Sequence, residues 1–123
     1  MRMWMVEPTD MCQKHLCGEH LETHMLLSCM KQNKKLTGFA ANNLLEAEAL
    51  FHRHKALAEE MVNRGYNHKS PIDHSEFIEA LAKQPEDIRN SRVDGIKSYA
   101  ELCSRCEKCS AIMDANEALL MLT

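Results

Sequence analysis

The chain has 123 residues, 45% hydrophobic and 27% charged, which excludes a disordered chain and suits one globular domain over residues 1–123. A net charge of −3 speaks against strong non-specific adhesion to nucleic acid, although local basic clusters could still hold phosphate. No apolar run approaches the roughly 18 residues of a membrane span, and Met1 to Val6 is too short for the apolar part of a signal peptide, so a soluble, intracellular protein is expected.

The hydrophobic pattern is helical along the whole chain, without alternation of the strand type and without an internal repeat. Glu7-Pro8-Thr9-Asp10 reads as the start of a first helix running to about Asn33, since proline suits a first turn, threonine can cap, and an acid favours the positive end of the helix dipole. Lys34, Lys35, Thr37 and Gly38 form a break, and Asn42-Asn43 is expected to open a second helix. There Ala47, Leu50, His54, Leu57, Ala58 and Met61 recur at helical spacing, and Gly65 closes it. Tyr66 to Asp73 reads as a polar loop, because Ser70 precedes a proline. A shorter helix follows over His74 to Ala82, ended by Gln84-Pro85. The last segment carries Ile96, Tyr99, Cys103, Cys106 and Met113 on one stripe and predicts an unbroken helix from about Gly95 to Ala115. The expected fold is all-α, with three principal helices, long connecting loops, and an N-terminal segment reaching into the helix cluster.

The first helix carries the chemistry. At about 100° per residue, Cys12, His15, Glu19, Glu22 and Leu26 fall within about 80° of one another, while Leu16, Cys17, Leu21 and Met25 spread over other faces. A helix with apolar residues on several faces is substantially buried, so two carboxylates on it need solvent in a cleft or partners. A solvated stripe with His15 in a helix ion pair is the plainer reading. The sharper one is an acid/base face close to the chain's own amino terminus.

Six cysteines without a signal peptide are expected to be reduced thiols. Cys103, Cys106 and Cys109 have C-x2-C-x2-C spacing and could take a metal with His74 as the fourth ligand, but C-x2-C pairs that hold zinc sit on knuckles rather than within a helix, and plain core packing accounts for them. His20 and His24, four apart, could hold a transition metal with Glu19 and Glu22, or form a surface pair. Nine methionines read as flexible core filling. No metal or other cofactor is expected to take part in the chemistry.

The segment Gln13-Lys14-His15-Leu16-Cys17-Gly18-Glu19-His20-Leu21-Glu22, followed much later by Arg64-Gly65-Tyr66-Asn67-His68-Lys69, resembles the endonuclease V family of pyrimidine-dimer DNA glycosylases, small all-α repair proteins of bacteria and phages. The family shows histidine, leucine, two variable residues, glutamate, two more residues and a second glutamate in its first helix, then an Arg-Gly-aromatic-Asn turn ending a later one. The likeness covers roughly residues 1 to 70. It implies a metal-independent glycosylase with abasic-site lyase activity, acting as a monomer on double-stranded DNA that contains a damaged or modified pyrimidine, in the cytoplasm of a bacterial or phage-infected cell.

By the same resemblance, the α-amine of Met1 is the nucleophile that attacks sugar C1′, Glu22 is the catalytic glutamate, and His15 is an active-site histidine that positions a sugar or phosphate oxygen. Arg2 matches an arginine suited to phosphate, and Glu19 matches a residue whose role could be to hold a partner such as Arg2. Phosphate contacts are also expected from basic clusters: Lys31, Lys34 and Lys35; the run His52, Arg53, His54 and Lys55; and Arg64, His68 and Lys69. Trp4 or Tyr66 could stack in the space left by an extruded nucleotide, with core packing the alternative for Trp4.

The chemical reasons stand apart from the family. A terminal α-amine, with an ordinary pKa of about 7.7–8.0 against about 10.4 for lysine, is partly free base at neutral pH. A carboxylate beside it can move protons and stabilise cationic states. Arg2 is too large for the aminopeptidase that removes an initiator methionine, so Met1 is expected to remain.

The chain departs from the family at Leu21 and Met25, where arginines flank the family's catalytic glutamate, and in its tail, where Cys-Ser-Arg-Cys-Glu-Lys-Cys replaces an aromatic and basic segment. A non-catalytic nucleic-acid or protein-binding member of the same fold is therefore the alternative.

Overall fold

A computed structural model describes residues 1–122, and every regular element in it is helical. The order is α1 (Gln13–Lys31), α2 (Thr37–Ala41), α3 (Leu50–Asn63), α4 (His74–Ala82), α5 (Glu86–Arg89), α6 (Gly95–Arg105) and α7 (Glu107–Leu122), with short 3-10 turns at Pro8–Asp10 and Ala47–Ala49. The all-α expectation holds. Three principal helices become five of seven residues or more, plus two short ones.

Helix α1 is the axis of the molecule. Leu16, Glu19, His20, Thr23, Leu26, Leu27 and Met30 are all buried, because α3 and α4 pack along it and the α6–α7 pair closes over its beginning. The apolar side chains form two clusters. One gathers Met3, Leu26, Met30, Leu45, Leu50, Phe77 and Ile88 around the C-terminal half of α1; the other gathers Trp4, Met11, Leu16, Leu57, Leu102 and Met113 around its N-terminal half. Leu16, Leu57 and Leu102, from three different helices, are fully buried. Each such side chain stabilises the fold by roughly 1.5–3 kcal/mol relative to exposure.

The N-terminal segment runs between the clusters, with Met3 in the first and Trp4 and Val6 in the second. It is fastened by the Met3 N–H donating to the Leu44 carbonyl at 2.8 Å and by the Ser98 hydroxyl donating to the Trp4 carbonyl. Met5, between Trp4 and Val6, takes a positive φ of 55°, a conformation costly for a residue with a Cβ.

Several boundaries differ from the sequence expectation, each for a local reason. Pro8–Asp10 forms a separate 3-10 turn, and α1 starts only at Gln13 because Met11 and Cys12 are extended. Asn43 ends α2 instead of opening α3. It sits at φ 58°, the Asn43 N–H reaching the Ala40 carbonyl and the Leu44 N–H the Phe39 carbonyl, which is a Schellman stop. Gly65 closes α3 in the same way at φ 86°, as expected, and α4 spans the expected residues with the Asp73 carboxylate accepting from the Glu76 N–H. The predicted last helix is broken at Cys106, whose backbone is extended at φ −124° and ψ 110°.

Candidate active site

Four stretches far apart in sequence meet in a cleft of about 470 Å³: Met1, Arg2 and Trp4 from the N-terminal segment; Lys14, His15, Gly18, Glu19 and Glu22 from α1; Leu44 from the loop after α2; and Glu101 and Arg105 from α6. Residues 15, 18, 19 and 22 recur at three- and four-residue intervals, so one face of α1 supplies the floor. The fastening of Met3 to Leu44 and of Trp4 to Ser98 fixes where the amino terminus lies.

Glu22 is half-buried, and its Oε2 accepts the backbone N–H of Arg2 at 3.2 Å. That bond places the carboxylate one residue from the terminal amine. The Arg2 side chain turns to α6, donating from Nη1 to Glu101 at 2.8 Å and from Nη2 to Ser98 Oγ at 3.1 Å, with its guanidinium 3.8 Å from the centre of the Trp4 ring. Its buried Nε has no acceptor among the described residues. Arg105 lies 5.4 Å from the same ring and donates to the other oxygen of Glu101. The hydrogen bond from Arg2, helped by the two arginine charges, holds the Glu101 carboxyl below its ordinary range.

His15 meets Trp4 edge to face at 5.8 Å and turns Nδ1 toward two sulfur atoms, 3.3 Å from Cys12 Sγ and 3.7 Å from Cys109 Sγ. Burial, then the charges of Lys14 and Arg105, hold its pKa below the usual histidine value. Trp4 is buried in the second cluster, so core packing is the role its position shows.

Glu19 is not the partner of Arg2. It is fully buried and pairs with Arg53, which donates from Nε at 2.6 Å and from Nη2 at 2.9 Å. Arg53 thus lies inside the molecule, also donating to Met11 Sδ, and has no guanidinium on the surface to offer a phosphate. Arg64 is likewise turned inward. It bonds Glu60 at 2.8 Å and the carbonyls of Pro8 and Met11 at 3.1 and 2.8 Å, which ties the chain ahead of α1 to the end of α3. Lys69 is exposed in the loop after α3, and Lys31 pairs with Glu76 at 3.0 Å. None of Arg53, Arg64 and Lys69 lines the cleft; Lys14 and Arg105 do. Lys14, Glu101 and Arg105 were missed from sequence. Lys14 had a local signal, standing beside His15 and four residues before Gly18; the α6 pair had none linking it to the amino end.

Away from the cleft, His20, His24, His54 and His68 pack against one another with ring centres 4.6 to 5.2 Å apart. Burial, then neighbouring histidine charges, holds His20 and His54 down at about 4. His54 Nε2 is occupied by His24 Nε2 and the Ser70 carbonyl, both at 3.1 Å, whereas His20 Nε2 and His68 Nε2 are buried without a partner among the described residues. His20 and His24 therefore meet the second pair of histidines and not Glu19 and Glu22. Among the described residues, ligand-type atoms converge within 4.8 Å in two sets: His20, His54 and His68, and Cys12, His15, Cys106 and Cys109. Neither set contains His74, which meets Phe51 edge to face, or Cys103, whose Sγ lies 3.3 Å from Ser110 Oγ.

The fold and cleft define a small all-α protein in which one helix presents a histidine and a carboxylate to the amino terminus. The family profile described as pyrimidine dimer DNA glycosylase matches residues 1–74, more than half of the chain, and the protein belongs to that family. No curated protein and no solved structure matches it.

Proposed function

We propose that the protein is a DNA glycosylase and abasic-site lyase in which the α-amine of Met1 is the nucleophile and Glu22 its proton-handling partner. The observation that carries this reading is that Met1 and Glu22 share one cleft, with Glu22 bonded to the N–H of the residue next to the amine. Double-stranded DNA with a damaged or modified pyrimidine is the substrate, and the reaction needs no metal ion.

In the reaction the amine lone pair forms a bond to sugar C1′ as the glycosidic C–N bond breaks and the base departs with a proton. Opening of the sugar ring transfers the C1′–O4′ bonding pair to O4′, which is protonated, and leaves a protonated imine between Met1 and C1′. Glu22 stabilises that cation and then removes a C2′ proton, whereupon the 3′-phosphate leaves by β-elimination. Water hydrolyses the imine and restores the amine. Lys14 and Arg105 at the rim suit the phosphates on either side of the lesion, and Arg2, neutralised by Glu101, orients the chain end. His15, through the ring nitrogen not facing sulfur, suits a sugar or phosphate oxygen. Glu19 and Arg53 act on the site only through each other, as a buried brace beneath it.

A second reading, a non-catalytic nucleic-acid or protein-binding member of the family, is favoured by Leu21 and Met25, which are 60% and 47% exposed on the outer faces of α1. Borohydride trapping separates the two. Untagged protein incubated with duplex carrying an abasic site, then reduced, becomes covalently linked to DNA through Met1 if the first reading holds. Absence of the adduct, with intact mass confirming a free Met1, overturns it.

A further inference from the structure

The geometry points to a structural zinc site formed by Cys12, His15, Cys106 and Cys109. All four ligand atoms lie within 4.8 Å of one another. Cys12 Sγ is 3.8 Å from Cys106 Sγ and 3.3 Å from His15 Nδ1, and Cys109 Sγ is 3.7 Å from the same nitrogen. Zinc bound at about 2.3 Å to sulfur and about 2.0–2.1 Å to nitrogen, with tetrahedral angles, places sulfurs about 3.8 Å apart and sulfur about 3.6 Å from nitrogen. The side chains already stand near the corners of that tetrahedron.

The backbone around them has the form such a site needs. Cys106 and Cys109 have C-x2-C spacing across the break between α6 and α7, and the extended backbone at Cys106 makes the pair a knuckle and not two positions on one helix. The Cys109 N–H approaches Cys106 Sγ at 3.4 Å, and the Cys12 N–H donates to Cys109 Sγ at 3.2 Å. Donors of this kind stabilise charged thiolates, which is the state in which cysteine binds metal. Cys12 and His15 repeat the spacing at the other side, with extended Cys12 just ahead of α1 and His15 in its first turn.

Three sulfurs and one imidazole select zinc among common divalent ions, and four protein ligands leave no position for water or substrate. The ion is therefore a staple. It joins the start of α1 to the α6–α7 corner, 91 or more residues away along the chain, and holds the His15 ring against Trp4. Binding energy of this kind appears as folding energy.

The test uses the whole wild-type protein, purified without chelator. Metal analysis is expected to find one zinc per chain, and exchange with cobalt(II) to give the ligand-field bands of a tetrahedral ion together with a sulfur-to-cobalt charge-transfer band. Stripping the metal should lower Tm by several degrees, and Cys106→Ser with Cys109→Ser should lose the equivalent of zinc, whereas Cys29→Ser keeps it. A metal-free protein with unchanged Tm, a cobalt spectrum without the thiolate band, which would place the ion among the histidines, or a Cys12–Cys106 disulfide on thiol counting would each overturn the assignment. The cobalt spectrum needs no variant, so a poorly folding double mutant does not spoil the result.

Discussion

Glu19 and Arg53 form a two-pronged ion pair across α1 and α3, with both side chains out of water. Such a pair owes its place to completeness, since either charge alone, its side chain out of water, would be left uncompensated. Arg53→Met or Glu19→Leu alone should lower unfolding free energy by about 3–5 kcal/mol, and the double substitution should recover much of the loss. Urea denaturation of the four proteins completes the cycle. Additive losses would show that the pair is not coupled.

Glu22 is half-buried and accepts the Arg2 backbone N–H, and its neutral isostere fits the same space. Glu22→Gln should keep Tm within about 2 °C while lowering incision of lesion-bearing duplex by about 10²-fold or more, the usual worth of a positioned acid or base. Single-turnover incision on a denaturing gel measures it. Full activity in this variant would remove Glu22 from the mechanism.

The histidine cluster makes the protein acid-sensitive in a defined window. His20 and His54 sit at about 4 in the folded state against 6.5 ordinarily, with burial the main cause and the facing imidazoles adding to it. Between those values the unfolded chain binds more protons, so stability falls as pH drops from 6.5 toward 4 and is fully present above 6.5. The urea midpoint should decline over that range, with a slope limit of about 1.4 kcal/mol per pH unit for each extra proton, and decline less steeply in His20→Leu. Equal slopes in the two proteins would count against it.

Gly65 needs its missing side chain for backbone reasons alone. No atom of the described residues lies within 4 Å of where a Cβ would stand, yet φ is 86°. Gly65→Ala should cost about 1 kcal/mol through the left-handed conformation, with activity intact. Thermal unfolding that showed no loss would mean the turn rearranges at no cost.

Local chemistry explains which parts of this architecture can be read in the sequence. The ends of α3 and α4 are written in Gly65, Asp73 and Pro85, residues with one strong backbone preference each. Asn43 misleads because asparagine serves equally to open a helix and to close one. The break at Cys106 carries no glycine or proline, and its apolar stripe continues across it, so periodicity alone runs straight through. For the site, His15, Glu19 and Glu22 announce themselves by spacing on one face. The partner of Glu19 does not, because Arg53 lies 34 residues away and stands in a run that looks like a charged surface. Likewise the three C-terminal cysteines suggest a metal on their own, whereas Cys12 and His15, brought there by the fold, complete the set in place of Cys103 and His74.

The N-terminal segment is held at Leu44 and again at Ser98, while Glu101 receives Arg2. Residues 1–74, where the family likeness resides, therefore lack part of what positions the amino terminus. A chain cut after that stretch would keep His15 and Glu22, with the Met3–Leu44 and Arg2–Glu22 bonds, but lose the clasp on Trp4 and the counter-charge for Arg2. The cleft is therefore complete only with the C-terminal third docked against the first residues, so its shape depends on both ends of the chain.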